Sequence, residues 1–371
     1  MPASLKISAL AAAAALTAAL ASCSTGGVSP ASSSSVSMSH KPLSALKQQA
    51  RREHGLVIYG NVPPQYFQAV FAAFHKQYPF IKVSETALDD HAVFTKYEAE
   101  AAQGARTADL LIASAPAAWV QGDRYGVSAG VTPAGLSAFP PWVNQGHGVF
   151  IMSAEPILLA YSPKLLTPSQ VPHTWARLAA DTKANPGRYK LVSYVISNEL
   201  NYAGIYGLIH ILGPAKVWSY YQAMAPRTTT FNDGLTALAQ ILQGAASVGY
   251  MASGLGQGVL PHYKGLASYT FMKDATPLIP RGITVTKHAA SPASALLFLD
   301  FLYTKAGQDA LCASGFEATM NSFHPANGCT ASLTALQHQV PPHATYLVPV
   351  SPAVLAQEGV ITQRWNQVFH R

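Results

Sequence analysis

The sequence predicts an α/β protein built in three layers. Two observations carry this expectation. Short apolar runs of the kind buried in parallel sheets alternate with segments whose apolar residues recur at helical spacing. The alternation also returns in a second stretch of chain, and about 320 residues are available for folding, enough for two lobes of ordinary size.

The first apolar run is Leu56-Val57-Ile58-Tyr59, broken by Gly60-Asn61-Val62-Pro63-Pro64. Phe67, Val70, Phe71, Phe74 and Tyr78 then mark a helix that Pro79 ends. A strand over Ile81–Glu85, a helix over Val93–Gln103 and a strand over Ala108–Ile112 complete the first series. The second series opens with the strand Ile157–Tyr161 and a helix from Thr174, whose hydroxyl suits an N-cap. The strand Leu191–Ile196 follows, then a helix over Asn201–Leu212 stopped by Gly213-Pro214. A helix over Leu235–Leu242 and a strand over Ala246–Met251 end this series. Beyond it come a short strand at Thr284–Thr286, a helix begun by Ser291-Pro292 and a last helix begun by Ser351-Pro352.

The first 22 residues carry one lysine, Lys6, and an apolar run from Ile7 to Ala21. That run suits the apolar segment of an export signal and is short for a bilayer span. It ends in Leu20-Ala21-Ser22-Cys23, which resembles the lipobox of bacterial lipoproteins, whose cysteine is acylated; an ordinary secretory signal is the alternative. Ser24–Ser39 is dense in Ser, Gly and Pro and reads as a flexible tether.

Losing the leader removes Lys6 and no acid, which leaves 23 basic against 17 acidic residues, a net charge of +6. No concentrated basic stripe exists, so nucleic acid is not an expected partner. Cys312 and Cys329 remain after Cys23, and in an oxidising compartment they are the natural disulfide pair. There is no CxxC, HExxH or Walker pattern, so neither a metal nor a cofactor is expected, and any transport ATPase would be a separate chain.

Four stretches in order resemble the type II periplasmic solute-binding proteins of ABC importers, in the group of ferric-iron, thiamine and phosphosugar binders. They are Leu56–Gly60 with its following helix, Ala108-Asp109-Leu110-Leu111, the segment Ile157–Pro163, and Asp274–Ile283 continued by Lys287–Gln308. Together they span Gly55–Ser322. The resemblance implies the periplasmic binding protein-like type II fold, two α/β lobes joined by a hinge of two crossings near Met152–Ile157 and Met272–Pro280. It divides the chain into a leader (1–22), a tether (23–53), an N-terminal lobe (54–157), an inserted lobe (158–272), a return to the first lobe (273–335) and a helical tail (336–371). It also implies a monomer that is not an enzyme and that delivers a small solute to an ABC permease.

Ligand would sit in the cleft, where strand ends and helix N-termini meet. Gly60 and Asn61 follow the first strand, and Ser114 follows the third. Tyr194, Ser197 and Asn198 are their counterparts in the second lobe. Asn232 is a candidate contact, whereas its neighbour Asp233 suits an N-cap. Tyr250 is a candidate wall, and Arg281 a candidate anion partner or a salt-bridge residue. A small polar solute, anionic by preference, is expected. Ferric iron is the alternative, but the tyrosine pair and early histidine of ferric binders are missing: Tyr250 is followed by Met251, and the first turn reads Asn61-Val62-Pro63-Pro64. A ligand-sensing module or an exported hydrolase are the other readings.

Overall fold

The computed structural model describes residues 41–124, 126–326 and 329–370. The leader, Cys23 and the tether up to residue 40 lie outside the described residues. In chain order the first elements are α1 (Leu43–Ala50), β1 (Leu56–Gly60), α2 (Gln68–Gln77), β2 (Val83–Ala87), α3 (Ala92–Ala102), β3 (Leu110–Ala113), α4 (Pro116–Arg124) and β4 (Phe150–Pro156). Next come β5 (Leu158–Tyr161), α5 (Trp175–Ala184), β6 (Leu191–Tyr194), α6 (Glu199–Leu212), α7 (Pro214–Met224), β7 (Thr228–Phe231), α8 (Gly234–Leu242), β8 (Val248–Ala252), α9 (Gly256–Val259) and β9 (Ser268–Thr270). The chain closes with β10 (Thr276–Val285), α10 (Pro292–Leu302), α11 (Lys305–Ala313), α12 (Leu333–Gln337), β11 (Thr345–Leu347) and α13 (Pro352–Phe369).

Two sheets organise these elements. The first has the order β11-β10-β3-β1-β2, with β4 also paired to β10. The second has the order β7-β6-β8-β5-β9. All of β5–β9 fall in the second sheet, so the chain crosses between sheets after β4 and again before β10. The two crossings touch: the Ile157 N–H donates to the Pro277 carbonyl at 2.8 Å. Strand β10 serves both halves. Its end pairs antiparallel with β3, while Ile279 near its middle belongs to the core of the second lobe.

Each sheet has its own core. Phe67, Phe74, Leu297 and Phe298 are fully buried under the first, with Phe74 and Phe298 edge to face at 4.9 Å. Trp175, Tyr202, Tyr221 and Tyr250 fill the second, joined by Trp365 of α13. Of the expected caps, those of Thr174 and Asp233 form, whereas Ser291 and Ser351 precede their helices without a side-chain cap bond. The Thr174 hydroxyl accepts from the Arg177 N–H, and Asp233 accepts from Thr236. Gly213, at φ 83°, closes α6 in a conformation that a residue with a Cβ resists, and Pro214 opens α7.

Several local readings need correction. The tether does not extend to Glu53: Leu43–Ala50 is helical, and Leu46 and Ala50 are buried against the first core. Leu46 and Ala50, about one turn apart, give this short helix an apolar side that docks on the core, while Leu43 stays exposed. The short strand expected at Thr284–Thr286 is the end of the ten-residue β10. Pro277 and Pro280 disguised it, because proline cannot donate to a ladder and reads as a break. The C-terminal segment is not only helical, since β11 adds a parallel strand beside the start of β10. Cys312 and Cys329 are joined by a disulfide, their Cα atoms 5.9 Å apart.

Candidate functional site

A cleft of about 500 Å³ lies between the two sheets. Its first-lobe wall comes from the turn after β1, the turn after β2 and Ser114. Its second-lobe wall comes from Tyr194, Asn198, the start of α8, Tyr250 and the segment through α9. Strand C-terminal ends from both sheets therefore face one another across the opening, as in other open α/β sheets.

Seven of the nine expected contacts line it: Asn61, Ser114, Tyr194, Asn198, Asn232, Tyr250 and Arg281. Gly60 and Ser197 do not. Gly60 lies behind Asn61, where an added Cβ would sit 2.8 Å from a Glu85 carboxylate oxygen. Its lack of a side chain thus makes room for Glu85 and not for a ligand. Ser197 is exposed, one residue ahead of the cap of α6.

Asn61 is the centre of a hydrogen-bonded network. Its amide donates to the Ser114 hydroxyl at 2.8 Å and to the Asp90 carboxylate, and its oxygen accepts from the Arg281 guanidinium. Arg281 Nε donates to Glu155 Oε1 at 2.9 Å, with both side chains buried. All the polar atoms of the Asn61 side chain are thereby engaged by protein, so Asn61 positions its neighbours. Arg281 is the one lysine or arginine lining the cleft among the described residues, and a buried glutamate already neutralises it.

The other charges are acidic. Asp89 and Asp90 line the first-lobe wall and Asp233 the second. Burial, reinforced by the negative charge of Glu199, raises the Asp90 carboxyl to about 6. Asp233 is held below the usual carboxylate range by the Thr236 N–H that it caps. Behind this wall, neither oxygen of Glu85 has a hydrogen-bond partner among the described residues, and burial raises its carboxyl to about 8.

Tyr250 forms part of the floor, but its ring is only 2 % exposed and packs edge to face with Trp175 and Tyr221. Its hydroxyl donates inward, to the Thr228 hydroxyl at 3.2 Å. Tyr194 presents its phenol at the start of α8, 3.1 Å from where a Gly234 Cβ would lie. The Asn198 side chain caps Asn201 and donates to the Asn232 carbonyl at 3.2 Å. Around these groups stand apolar side chains: Leu200, Leu235, Leu238, Val259 and Leu260.

Sequence reasoning missed Tyr66, Asp89 and Asp90. The signal for the aspartates was present. They sit between a strand and a helix, the same placement that selects Asn61.

Two α/β lobes, two crossings and a polar cleft at the strand ends define a two-lobe binding protein. The chain belongs to the bacterial extracellular solute-binding protein family, whose model matches residues 60–309. It is similar to the solved substrate-binding protein of an ABC transporter from Agrobacterium tumefaciens, at a TM-score of 0.77 and 19 % identity over 85 % of this chain and 96 % of that one. It is also similar to iron-bound HitA from Pseudomonas aeruginosa, at a TM-score of 0.67 and 17 % identity over 85 % of this chain and 99 % of that one. AfuA from Actinobacillus pleuropneumoniae, solved with fructose-6-phosphate, aligns at a TM-score of 0.68 and 15 % identity over 85 % and 98 %. These likenesses show the two-lobe fold. No curated protein matches the chain by sequence. No helix among the described residues is long and apolar enough to cross a membrane.

Proposed function

We propose that the protein captures a small, uncharged or cationic organic solute in the interlobe cleft and delivers it to an ABC permease served by a separate ATPase chain. Cys23 would carry the lipid that holds it at the outer face of the membrane. The observation that carries the reading is the cleft itself, about 500 Å³ and lined from both sheets by polar side chains and an apolar wall.

The preference for an anion drawn from helix N-termini does not suit this lining. The N-terminus of α6 is capped by Asn198 and has Glu199 in its first turn, and that of α8 is capped by Asp233. The dipoles of α6 and α8 are thus already met from within the protein, while the helical turn after Asn61 has no side-chain cap. Arg281 is paired, and Asp89, Asp90 and Asp233 are not offset by another lysine or arginine in the lining. A bound anion would face net negative charge, whereas an amine or a polyol would find acceptors.

Ferric iron would need hard anionic oxygen donors. The Tyr250 hydroxyl is turned into the second lobe toward Thr228, which argues against the iron reading. The test is native mass spectrometry of gently purified protein. One organic adduct of neutral or positive charge supports the proposal; an iron or phosphorylated adduct contradicts it.

A further inference from the structure

Outside the cleft, three metal-ligating groups converge at its rim. His91 precedes α3 in the first lobe, Glu199 lies in the first turn of α6 in the second, and Glu358 projects from α13. One donor atom from each lies within 4.8 Å of the others. We propose that His91, Glu199 and Glu358 bind one divalent transition-metal ion, with zinc as the best match, and that the ion ties the two lobes together at the rim.

His91 Nε2 stands 3.3 Å from Glu199 Oε1. Two donors on a tetrahedral ion at zinc's usual bond lengths are about 3.4 Å apart. This pair therefore already has the separation of two zinc ligands. Glu358 is half-buried on a helix surface, with a carboxylate oxygen inside the same 4.8 Å cluster. Glu199 is only 2 % exposed, and its second oxygen has no hydrogen-bond partner among the described residues. His91 meets one oxygen of this buried carboxylate, and the second is left for a further cation. The exposed edge of His91 leaves a path for the ion and room for a water as fourth ligand. One imidazole with two carboxylates selects zinc or a neighbouring transition metal over magnesium and calcium, which prefer all-oxygen shells. The three residues are scattered along the chain, which is why no spacing motif announces them.

The test is calorimetric titration of the chelator-treated full chain with zinc chloride, with magnesium chloride as the control. Saturation at one zinc per chain is expected, with no response to magnesium. His91→Ala and Glu358→Gln should each weaken zinc binding at least tenfold. Both side chains are at least partly exposed, and a cooperative circular dichroism melt of each metal-free variant confirms that it folds. No saturable zinc binding, or binding of equal strength in both variants, overturns the proposal.

Discussion

Arg281 and Glu155 form a buried ion pair, Nε to Oε1 at 2.9 Å, directly beneath the cleft. They come from the paired strands β10 and β4, next to the two crossings between the lobes. Through Asn61 the pair also reaches Asp90 and Ser114. One network thus links the structural joint to the solute-facing wall.

Removing one partner of this pair should be costly. Glu155→Ala leaves the Arg281 guanidinium uncompensated in the interior and is expected to lose about 3–5 kcal/mol of stability. Replacing both, as in Glu155→Leu with Arg281→Met, should cost clearly less, because no buried charge is left alone. Urea denaturation of the three proteins measures this. Equal losses for the single and double variants would mean that the pair is not the origin of the cost.

The charge of the cleft can be separated from its shape. Asp90→Asn keeps the size of the side chain and removes a negative charge from the wall. It should weaken a cationic solute at least tenfold and leave an uncharged one nearly unaffected. Tyr250→Phe should change affinity little, because the hydroxyl serves Thr228 and not the opening. A large loss in Tyr250→Phe would mean that this ring turns toward the solute.

Stability should fall with rising pH over a defined window. Burial raises the carboxyls of Glu85 and Glu317 from 4.5 to about 8. Between those values the folded protein binds more protons than the unfolded chain. The stabilisation is therefore complete below pH 4.5 and is lost as pH rises through 8, by up to about 1.4 kcal/mol per pH unit for each group. Glu317→Gln removes one of the two contributions. Denaturation curves taken from pH 5 to 9 should be flatter in the variant than in the parent protein, and parallel profiles would contradict the assignment.

The anchor has its own test. Cys23→Ala should move the protein from the membrane fraction to the soluble fraction, because acyl chains are the one strong membrane attachment that the sequence suggests. Unchanged partitioning would mean that Cys23 carries no lipid.

Much of the architecture is legible in the sequence because local signals and tertiary demands agree there. Leu56–Tyr59 and Leu191–Tyr194 are apolar runs that become central strands, and Gly213-Pro214 stops a helix where the backbone needs positive φ. Where the two diverge, the sequence misleads. Pro277 and Pro280 look like breakers, yet they lie in a strand that spans both lobes. Six cleft residues follow from the rule that ligand meets strand ends and helix starts; Arg281, inside β10, does not. The rule could not reveal that Arg281 is neutralised by Glu155, 126 positions away, because that pairing depends on the register of β4 against β10. The acidic character of the cleft is likewise a property of the assembled fold, and runs opposite to the chain's net charge of +7.

Calorimetry of the purified protein against solutes graded by charge tests the central claim most directly. The series would include amines, thiamine, polyols, neutral sugars, organic acids, phosphosugars and ferric citrate. Tightest binding by an uncharged or cationic solute is expected, sharply weakened in Leu235→Arg, which places a long charged side chain in the cleft from an exposed position. Tightest binding by a phosphosugar, an organic acid or ferric citrate, or affinity unaltered in Leu235→Arg, would contradict it.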